Sequence, residues 1–586
     1  METAPATAQP FALDSPKQER WTKLAFGLAA PAIERALGLT ALGRMYAEAT
    51  GAAVVEDFPE RALEYLGISW RVEGRPSSTI PAEGPLVVVA NHPFGAADGL
   101  ILLSLIRQVR PDVKLLGNYL LGRIPELRPI LLEVDPFAGD GSRAMNARMV
   151  RRAIDWTRRG GAVIVFPAGE VASVAAPDGR LIDGPWRHGV ARILLQSEAP
   201  LLPVCFEGRN SRLFELAGRV HPALRTALLP RELLRQRGRS MAVTLGDVVP
   251  SGRIVQLGNP ASVVSYLRAK TYALRGGAPI LPNRRPVPPQ AEVATPEDPR
   301  VIAAEVAALS PSRRLLDQRA WQVFYASASE APALVREIGR LREATFRAAG
   351  EGTGRSRDLD RFDLHYWHLF VWHRESQEVV GAYRLAAMDR TVQTLGLRGL
   401  YTQTLFRYGR ALLDELGPTL ELGRSFVRRE YQRDYSALML LWQGIGRFVV
   451  RHPQYRKLIG PVSISADYHP VSRDVLVNAL EQEPLLSPLS AMVRSKHPYR
   501  RHATPQSGLD ATAAGVLLKE IEPDGKALPV LLRQYLKLNA RVLGTSVDPD
   551  FSNVVDALMV VDLDAVAPAQ LNRYLGVEGA AAFRHS

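Results

Sequence analysis

The sequence predicts an α/β protein of two domains in tandem, the first built on a mostly parallel sheet and the second a mixed α/β unit. Three observations predict it. The chain of 586 residues exceeds what one ordinary core holds. Up to about residue 275, short apolar runs alternate with helical patterns, the rhythm of parallel strands joined by crossover helices. After a proline-crowded stretch, "GGAPILPNRRPVPPQAEVATPEDPR" at Gly276 to Arg300, that rhythm gives way to closely spaced strands, the mark of hairpins.

Residues 1–50 read as an amphipathic helical segment. In "RWTKLAFGLAAPAIERALGLTALGRMYAEA", Trp21, Leu24, Ala25 and Phe26 stand among spaced Lys and Arg. The pattern suits an interfacial helix, or a pair of helices packed on the core and broken at Pro31. The first domain, 51–275, holds strands over Leu86–Ala90, Asp112–Leu116, Ala162–Phe166 and Pro200–Phe206, with helices over Gly99–Val109, Ser142–Arg159 and Val190–Gln196. Continuous apolar strands fit a sheet buried on both faces. A linker over 276–310 follows. The second domain, 311–586, has a helix over Ala331–Ala349, strands over Trp367–Trp372 and Glu378–Ala386, a strand over Leu420–Val427, a helix over Ala437–Val450 and a strand over Lys457–Ala466. No internal repeat relates the two halves.

A net charge of +13 points to an anionic partner, whether nucleic acid, anionic lipid or an acidic carrier protein. The basic residues are scattered and not interleaved with aromatics, which argues against nucleic acid. The single cysteine, Cys205, excludes an intramolecular disulfide framework and reads as a small buried residue. "METAPATAQPFALD" lacks the basic and apolar regions of a secretory signal, so a cytoplasmic location is expected. No run of eighteen apolar residues occurs, and membrane contact is expected to be peripheral, on the inner face of the cytoplasmic membrane.

"LVVVANHPFGAADGL", at 86–100, ends an apolar strand in Asn91, His92 and Asp98. A histidine at a strand end acts as a general base if a carboxylate fixes its tautomer. Asn91 is placed to hold the turn, and Gly95, Ala96 and Ala97 keep it slim. The bland reading is that Asp98 caps the following helix. "GGAVIVFPAGEVASV" ends a second strand in Phe166, Pro167, Gly169 and Glu170, and "APLLPVCFEGRNSRLF" ends a third in Arg209, Asn210 and Arg212. Three polar loops at the carboxyl ends of strands of one sheet mark a ligand site. For Glu170 alone the bland reading is an acid at a helix N-terminus. Arg209, Arg212, Arg231, Arg235, Arg237 and Arg239 suggest a cationic surface nearby.

These residues resemble the glycerolipid acyltransferases of the lysophosphatidic acid acyltransferase type, over about Pro85 to Pro250. Asn91-His92 with Asp98 resembles their His-x4-Asp motif, "FPAGE" their Phe-Pro-Glu-Gly-Thr-Arg motif, and "APLLPV" their late Pro-containing strand. The resemblance implies that His92 takes the proton from an acceptor hydroxyl attacking an acyl thioester. Two departures, five residues between His92 and Asp98 and a glutamate two places late at Glu170, resemble a branch associated with amino-acid lipids and count against a glycerol-phosphate acceptor.

In the second domain, charges fall inside apolar patterns. Arg342 and Phe346 are a helical turn apart; Asp358, Asp360 and Asp363 follow in "RDLDRFD"; Arg384 lies inside "VVGAYRLAA", and Glu421, Arg424 and Ser425 inside "LELGRSFV". Such charges are costly unless paired, so an Arg-Asp-Glu network is expected, structural or functional. The spacing resembles the N-acetyltransferase superfamily, in particular acyl-homoserine-lactone synthases and ornithine lipid N-acyltransferases, over about Leu334 to Ser463. "PVLLRQYLKLNARVLGTSVDPDF" resembles the tail of the lipid branch. The equivalent of the superfamily's pyrophosphate turn, "RREYQRDYSA", has no glycine, which fits a donor carried on acyl carrier protein in place of acyl-CoA. Glu421 is then expected to help deprotonate an amine, with Arg384 and Arg424 holding Glu421 and the aspartates or binding the amino acid's carboxylate.

Together the resemblances imply a bifunctional ornithine-lipid-type synthase. The second domain would N-acylate an amino acid such as ornithine with a 3-hydroxyacyl group, and the first would O-acylate that hydroxyl on the lyso-lipid. No metal and no permanently bound cofactor are implied. Competing readings are a lysophospholipid O-acyltransferase with a non-catalytic second half, a signal synthase of the homoserine lactone type, and a non-catalytic peripheral membrane protein of the hemolysin-like kind.

Overall fold

A computed structural model describes the chain except residues 1–9, 12–19, 51–56, 136–141, 176–180, 221, 276–289, 433–435, 502–508 and 586. Two compact units emerge, Met1–Ile280 with Arg501–Ala513, and Leu281–Arg500 with Ala514–Ser586.

The first unit runs α1 (Arg20–Leu37), α2 (Leu39–Thr50), α3 (Phe58–Tyr65), β1 (Ser69–Gly74), β2 (Leu86–Ala90), α4 (Ala96–Arg107), β3 (Val113–Asn118), β4 (Leu131–Val134), α5 (Ser142–Arg158) and β5 (Ala162–Val165). A two-strand hairpin, β6 (Val174–Ala175) and β7 (Leu181–Ile182), precedes α6 (Gly189–Ser197), β8 (Leu201–Phe206), α7 (Arg212–Val220), α8 (Pro222–Arg235), β9 (Ser240–Leu245), α9 (Ser251–Val255) and α10 (Pro260–Ala273). The main sheet is ordered β1-β9-β8-β2-β5-β3-β4. Every neighbouring pair is parallel except β8 with β9. The mostly parallel sheet is as expected. β2, β5 and β8 are buried at every residue, which is why they read as unbroken apolar runs. Because β2 lies between β8 and β5, the loops after these strands meet at one rim of the sheet.

Pro31 does not break the first helix, contrary to expectation: α1 runs through it, and the break falls at Gly38. Gly38 has φ +80°, the left-handed conformation that ends helices, and a Cβ there would stand 2.7 Å from Leu234. The side chains of residues 20–28, including the apolar residues singled out above, lie outside those described.

The second unit begins within the stretch expected to be linker. Residues 276–289 lie outside the described ones, but Ala291 and Ala294 donate to the carbonyls of Gly354 and Ser356, and α11 (Pro299–Ala308) buries Ile302 and Val306. The expected linker to residue 310 is thus corrected: proline at the first helical turn of α11, behind the Asp298 cap, starts the helix. The unit continues with β10 (Arg314–Gln318), β11 (Trp321–Ala326), α12 (Pro332–Ala348), β12 (Trp367–His373), β13 (Glu378–Ala387), α13 (Met388–Leu395), β14 (Phe406–Arg407), α14 (Arg410–Leu416), β15 (Thr419–Val427), α15 (Ser436–Arg451), β16 (Lys457–Ile464), β17 (Arg494–Ser495), β18 (Arg541–Asp548) and β19 (Val554–Asp562). Its eight-stranded sheet is ordered β10-β11-β12-β13-β15-β16-β19-β18, a mixed sheet as expected.

The pairing of β15 with β16 shapes this unit. It is parallel and lasts only from Thr419–Lys457 to Glu421–Ile459. Beyond that, β15 stays with β13 and β16 stays with β19, so the two strands part. A bulge in β15 at Arg424–Ser425, where Arg424 has φ +50°, bends the strand away. At the fork Gly460 is obligatory, because a Cβ would stand 2.3 Å from the Leu422 carbonyl. Pro461, which has no N–H, follows where pairing to β15 has ended.

Candidate active sites

In the first unit, β2 delivers His92 to the sheet rim. Its Nδ1 lies 3.0 Å from Asp98 Oδ2, with Asp98 fully buried and the His92 side chain 18% exposed. That contact leaves Nε2 as the ring nitrogen free to accept a proton. The Asp98 oxygen also accepts the N–H groups of Phe94 and Gly95 at 2.9 and 3.1 Å, so Asp98 caps α4 and partners the histidine at once. Burial pushes the Asp98 carboxyl above its usual range, and His92 and the two N–H groups pull it back. The imidazole stacks on Phe166 with centroids 4.1 Å apart.

The backbone of His92 is pinned on both sides. Its N–H donates to Asp183 Oδ1 at 3.1 Å, and its carbonyl accepts from Ala172 at 2.8 Å. Asp183 is held in turn by Trp186 Nε1 at 2.9 Å, while Arg268 donates to the carbonyls of Asp183 and Gly184 at 2.7 and 2.6 Å. Sequence reading missed this layer. One signal was Arg268, a charge that follows a largely apolar or small run in α10.

His92, Gly95, Phe166, Pro167, Gly169 and Glu170 line a cavity of about 1120 Å³. Its wall includes apolar residues of α2, α3, α4 and β3, among them Leu42, Phe58, Leu103 and Leu115, and also Arg143, Arg151, Arg187 and Arg225. Its size lies just above the usual range of small-molecule sites, roughly 300–1,000 Å³. No helix starts at Glu170; the residue is in a turn before β6 and pairs with Arg225.

Two expected binding residues do not reach this cavity. Asn91 is sealed in the sheet, where its Nδ2 donates to the Phe206 carbonyl at 2.9 Å and its Oδ1 accepts the Phe206 N–H at 2.7 Å. The amide has replaced a rung of the ladder between β2 and β8, so Asn91 positions the loop. Arg209 is half-exposed and pairs with Glu215 at 2.9 Å. Arg212, Arg231, Arg235, Arg237 and Arg239 are exposed. Cys205 is buried, which pushes its thiol up to about 11.

In the second unit the expected network of charges forms. Arg342 donates to both oxygens of Asp363 at 3.0 and 3.1 Å and approaches Asp358 at 3.4 Å; Arg384 donates to Asp360 at 2.7 Å and lies 3.3 Å from Asp363; Arg424 approaches Asp358 at 3.4 Å. Burial works against ionisation of Asp363, but Arg342 and Arg384 hold its carboxyl well below the usual range. Arg384 also faces the rings of Phe362, Tyr366 and Tyr401 at 5.0–5.7 Å.

Glu421 stands apart from this network, against expectation. Its oxygens accept the Tyr366 hydroxyl, the Tyr401 N–H at 3.2 Å and the Thr402 N–H at 2.7 Å. These donors satisfy the buried charge without an arginine, and the residue does not line the unit's cavity. Glu421 therefore holds the 401–402 turn.

That cavity, about 920 Å³, opens where β15 and β16 part. Phe346, Arg424 and Ser425 line it; Arg342, Asp360, Asp363 and Arg384 do not. Arg424 is sandwiched between Tyr401 at 5.0 Å and Phe551 at 4.7 Å, and Phe346 meets Phe551 edge-on at 5.0 Å. Arg428 and Arg429 line it from the glycine-free turn. Two carboxylates that sequence reading passed over, Glu351 and Asp556, also line it. They lie at the end of α12 and in β19, too far apart in the chain for spacing to join them.

Residues 55–278 match the family described as Acyltransferase, and residues 341–443 the family described as Acetyltransferase (GNAT) domain. The chain is 31% identical over 304 residues to the Glycine N(alpha)-acyltransferase of Bacteroides thetaiotaomicron, an alignment covering 48% of this chain and 89% of that protein. It is 28% identical over 226 residues to that organism's Lyso-glycine lipid O-acyltransferase, covering 37% and 79%. To the L-ornithine N(alpha)-acyltransferase of Rhizobium meliloti it is 30% identical over 254 residues, covering 42% and 79%.

Proposed function

Since the chain belongs to the amino-acid N(alpha)-acyltransferase family and is an acyltransferase carrying an Acyltransferase domain as well, we propose that it performs two acyl transfers in sequence. The C-terminal domain N-acylates an amino acid with a 3-hydroxyacyl group, and the N-terminal domain O-acylates the 3-hydroxyl. The product is a two-chain amino-acid lipid of the ornithine-lipid type. The observation that carries this reading is the presence, in one chain, of a histidine-carboxylate pair opening on a large, mainly apolar cavity and a separate cavity at the fork of two parallel strands.

In the O-acyl step, the acceptor hydroxyl gives its proton to His92 Nε2 as its oxygen attacks the thioester carbonyl. Asp98 holds the imidazole and stabilises the imidazolium. The apolar wall of the cavity takes the acyl chain; Arg187 and Arg225, beside Gly169 and Glu170, face the acceptor's head. In the N-acyl step, the fork of β15 and β16 offers unpaired strand edge to the amide-rich arm of an acyl-thioester donor. Arg424, set between two aromatic rings, takes the amino acid's carboxylate. The basic, glycine-free turn at Arg428 and Arg429 suits an acidic carrier protein, whose approach the charge of +13 would speed.

The intermediate keeps one chain and stays near the membrane. Among the described residues no helix is long and apolar enough to cross a bilayer. A peripheral attachment through α7 and α8 is supported by Leu213, Leu216 and Leu224, which are 46%, 58% and 48% exposed amid arginines. Covalent linkage of the two domains raises the effective concentration of the intermediate at the second site. The test supplies purified chain with 3-hydroxyacyl carrier protein and ornithine or glycine, then a second acyl donor, and reads products by mass spectrometry. An N-acyl amino acid that gains a second acyl group supports the proposal. Acylation of lysophospholipid with no amide product refutes it.

A further inference from the structure

We propose that Asp556 is the group that takes the proton from the acceptor amine in the C-terminal cavity, an inference that rests on the N-acylation reading above. Three carboxylates line that cavity among the described residues: Glu351, Glu430 and Asp556. Glu430 is 65% exposed and 3.5 Å from Arg428, so it belongs to the rim. Glu421, the carboxylate that the sequence favoured, has its oxygens engaged by Tyr366, Tyr401 and Thr402 and lies outside the lining. Asp556 sits in the sheet floor of β19, opposite Ser463 of β16, whose hydroxyl donates to its Oδ1 at 2.8 Å. β16 is the strand whose far edge is free of β15 at this level.

The charges around Asp556 favour an ammonium guest. Asp548 faces it from β18, Glu351 from the end of α12, and Asp467 stands beyond Glu351 after β16; Arg424 of β15 is the opposing cation, itself drawn to Asp358 and Asp548. Burial, aided by Asp548 and opposed by Ser463 and Arg424, raises the Asp556 carboxyl to about 7. A base poised near neutrality both ionises and accepts a proton at working pH. Glu351 is likewise lifted to about 7, by burial first and then by Asp556 and Asp467.

The step balances as follows. The amino acid enters as an ammonium and passes one proton to the Asp556 carboxylate. The freed lone pair forms the N–C bond to the thioester carbonyl, and the C–S bond breaks with its electron pair on sulfur. Of the two protons left on nitrogen, one stays in the amide and the other ends on the thiol. Asp556 returns its proton to solvent.

The test is the pH-rate profile of N-acylation by the full chain, for wild type, Asp556→Asn, Glu351→Gln and Asp548→Asn, with O-acylation of a supplied N-acyl amino acid as the check on integrity. Wild-type kcat is expected to rise through a limb near pH 7. Asp556→Asn loses that limb and falls about 10²–10⁴-fold in kcat, with the KM for the thioester little changed and O-acylation intact. Asp548→Asn keeps activity and moves the limb to lower pH, because a charge that lifts Asp556 is gone. Glu351→Gln stays within about tenfold of wild type. The inference is overturned if Asp556→Asn stays within threefold of wild type with its limb in place, or if Glu351→Gln loses more than Asp556→Asn. A wild-type chain that acylates no amine overturns the N-acylation reading itself.

Discussion

Replacing Asp556 with asparagine should stabilise the C-terminal domain strongly at pH 8 and much less at pH 5. The residue is 3% exposed, and burial is the main reason its carboxyl stands near 7 instead of the ordinary 3.8. In the unfolded chain it titrates at the ordinary value. Between about pH 4 and 7 the folded state holds a proton that the unfolded state has lost, so stability falls as pH rises through this window and the deficit is complete above it. A gap of roughly three pH units at about 1.4 kcal/mol each gives a deficit on the order of 4 kcal/mol. Asparagine never ionises and still accepts from Ser463, so the variant recovers most of that deficit, about 2–4 kcal/mol at pH 8. Urea unfolding at both pH values, followed by hydrogen exchange in β18 and β19, reads this domain separately from the other. A variant-minus-wild-type difference that does not grow between pH 5 and pH 8, or that is negative at pH 8, would refute the reasoning. The same substitution is expected to slow amide formation about 10²–10⁴-fold, so stability and activity move in opposite directions.

Three further outcomes follow from the geometry. His92→Ala should lower O-acyl transfer about 10²–10⁴-fold while leaving N-acyl transfer unchanged, read as separate product rates. Asn91→Ala strands the Phe206 N–H and carbonyl in the sheet and should cost about 1–3 kcal/mol in urea unfolding of the first unit. Arg342→Ala leaves buried Asp363 with Arg384 alone and buried Asp358 with Arg424 alone, and should cost about 3 kcal/mol in the second unit, the lower end for breaking a buried pair.

The parts of the site that could be read in the sequence are the local ones. β2, β5 and β8 announce themselves because strands buried on both faces carry no polar residue, and His92 and Asp98 lie six residues apart, close enough for one turn to join them. β1 and β4 escaped because they are the two edges of the sheet and only partly buried. The support behind His92 links Asp183 to Arg268, 85 residues away, and the cavity carboxylates Glu351 and Asp556 meet only through the fold. Glu421 misled for a physical reason. A charge in an apolar strand signals that a partner exists, and the pattern is the same whether the partner is a substrate amine or the N–H groups of a nearby turn. Asn91 is the converse: a polar side chain beside the functional histidine whose capacity is spent on the neighbouring strand.

The most direct test of two-step synthesis is lipid mass spectrometry of a host that lacks amino-acid lipids, expressing the intact chain, His92→Ala or Asp556→Asn. The account predicts a diacylated amino-acid lipid from the intact chain, arrest at the mono-acylated amide with His92→Ala, and neither species with Asp556→Asn. A diacylated lipid that persists in His92→Ala, or an intact chain that consumes lysophospholipid and yields no amide, would contradict it.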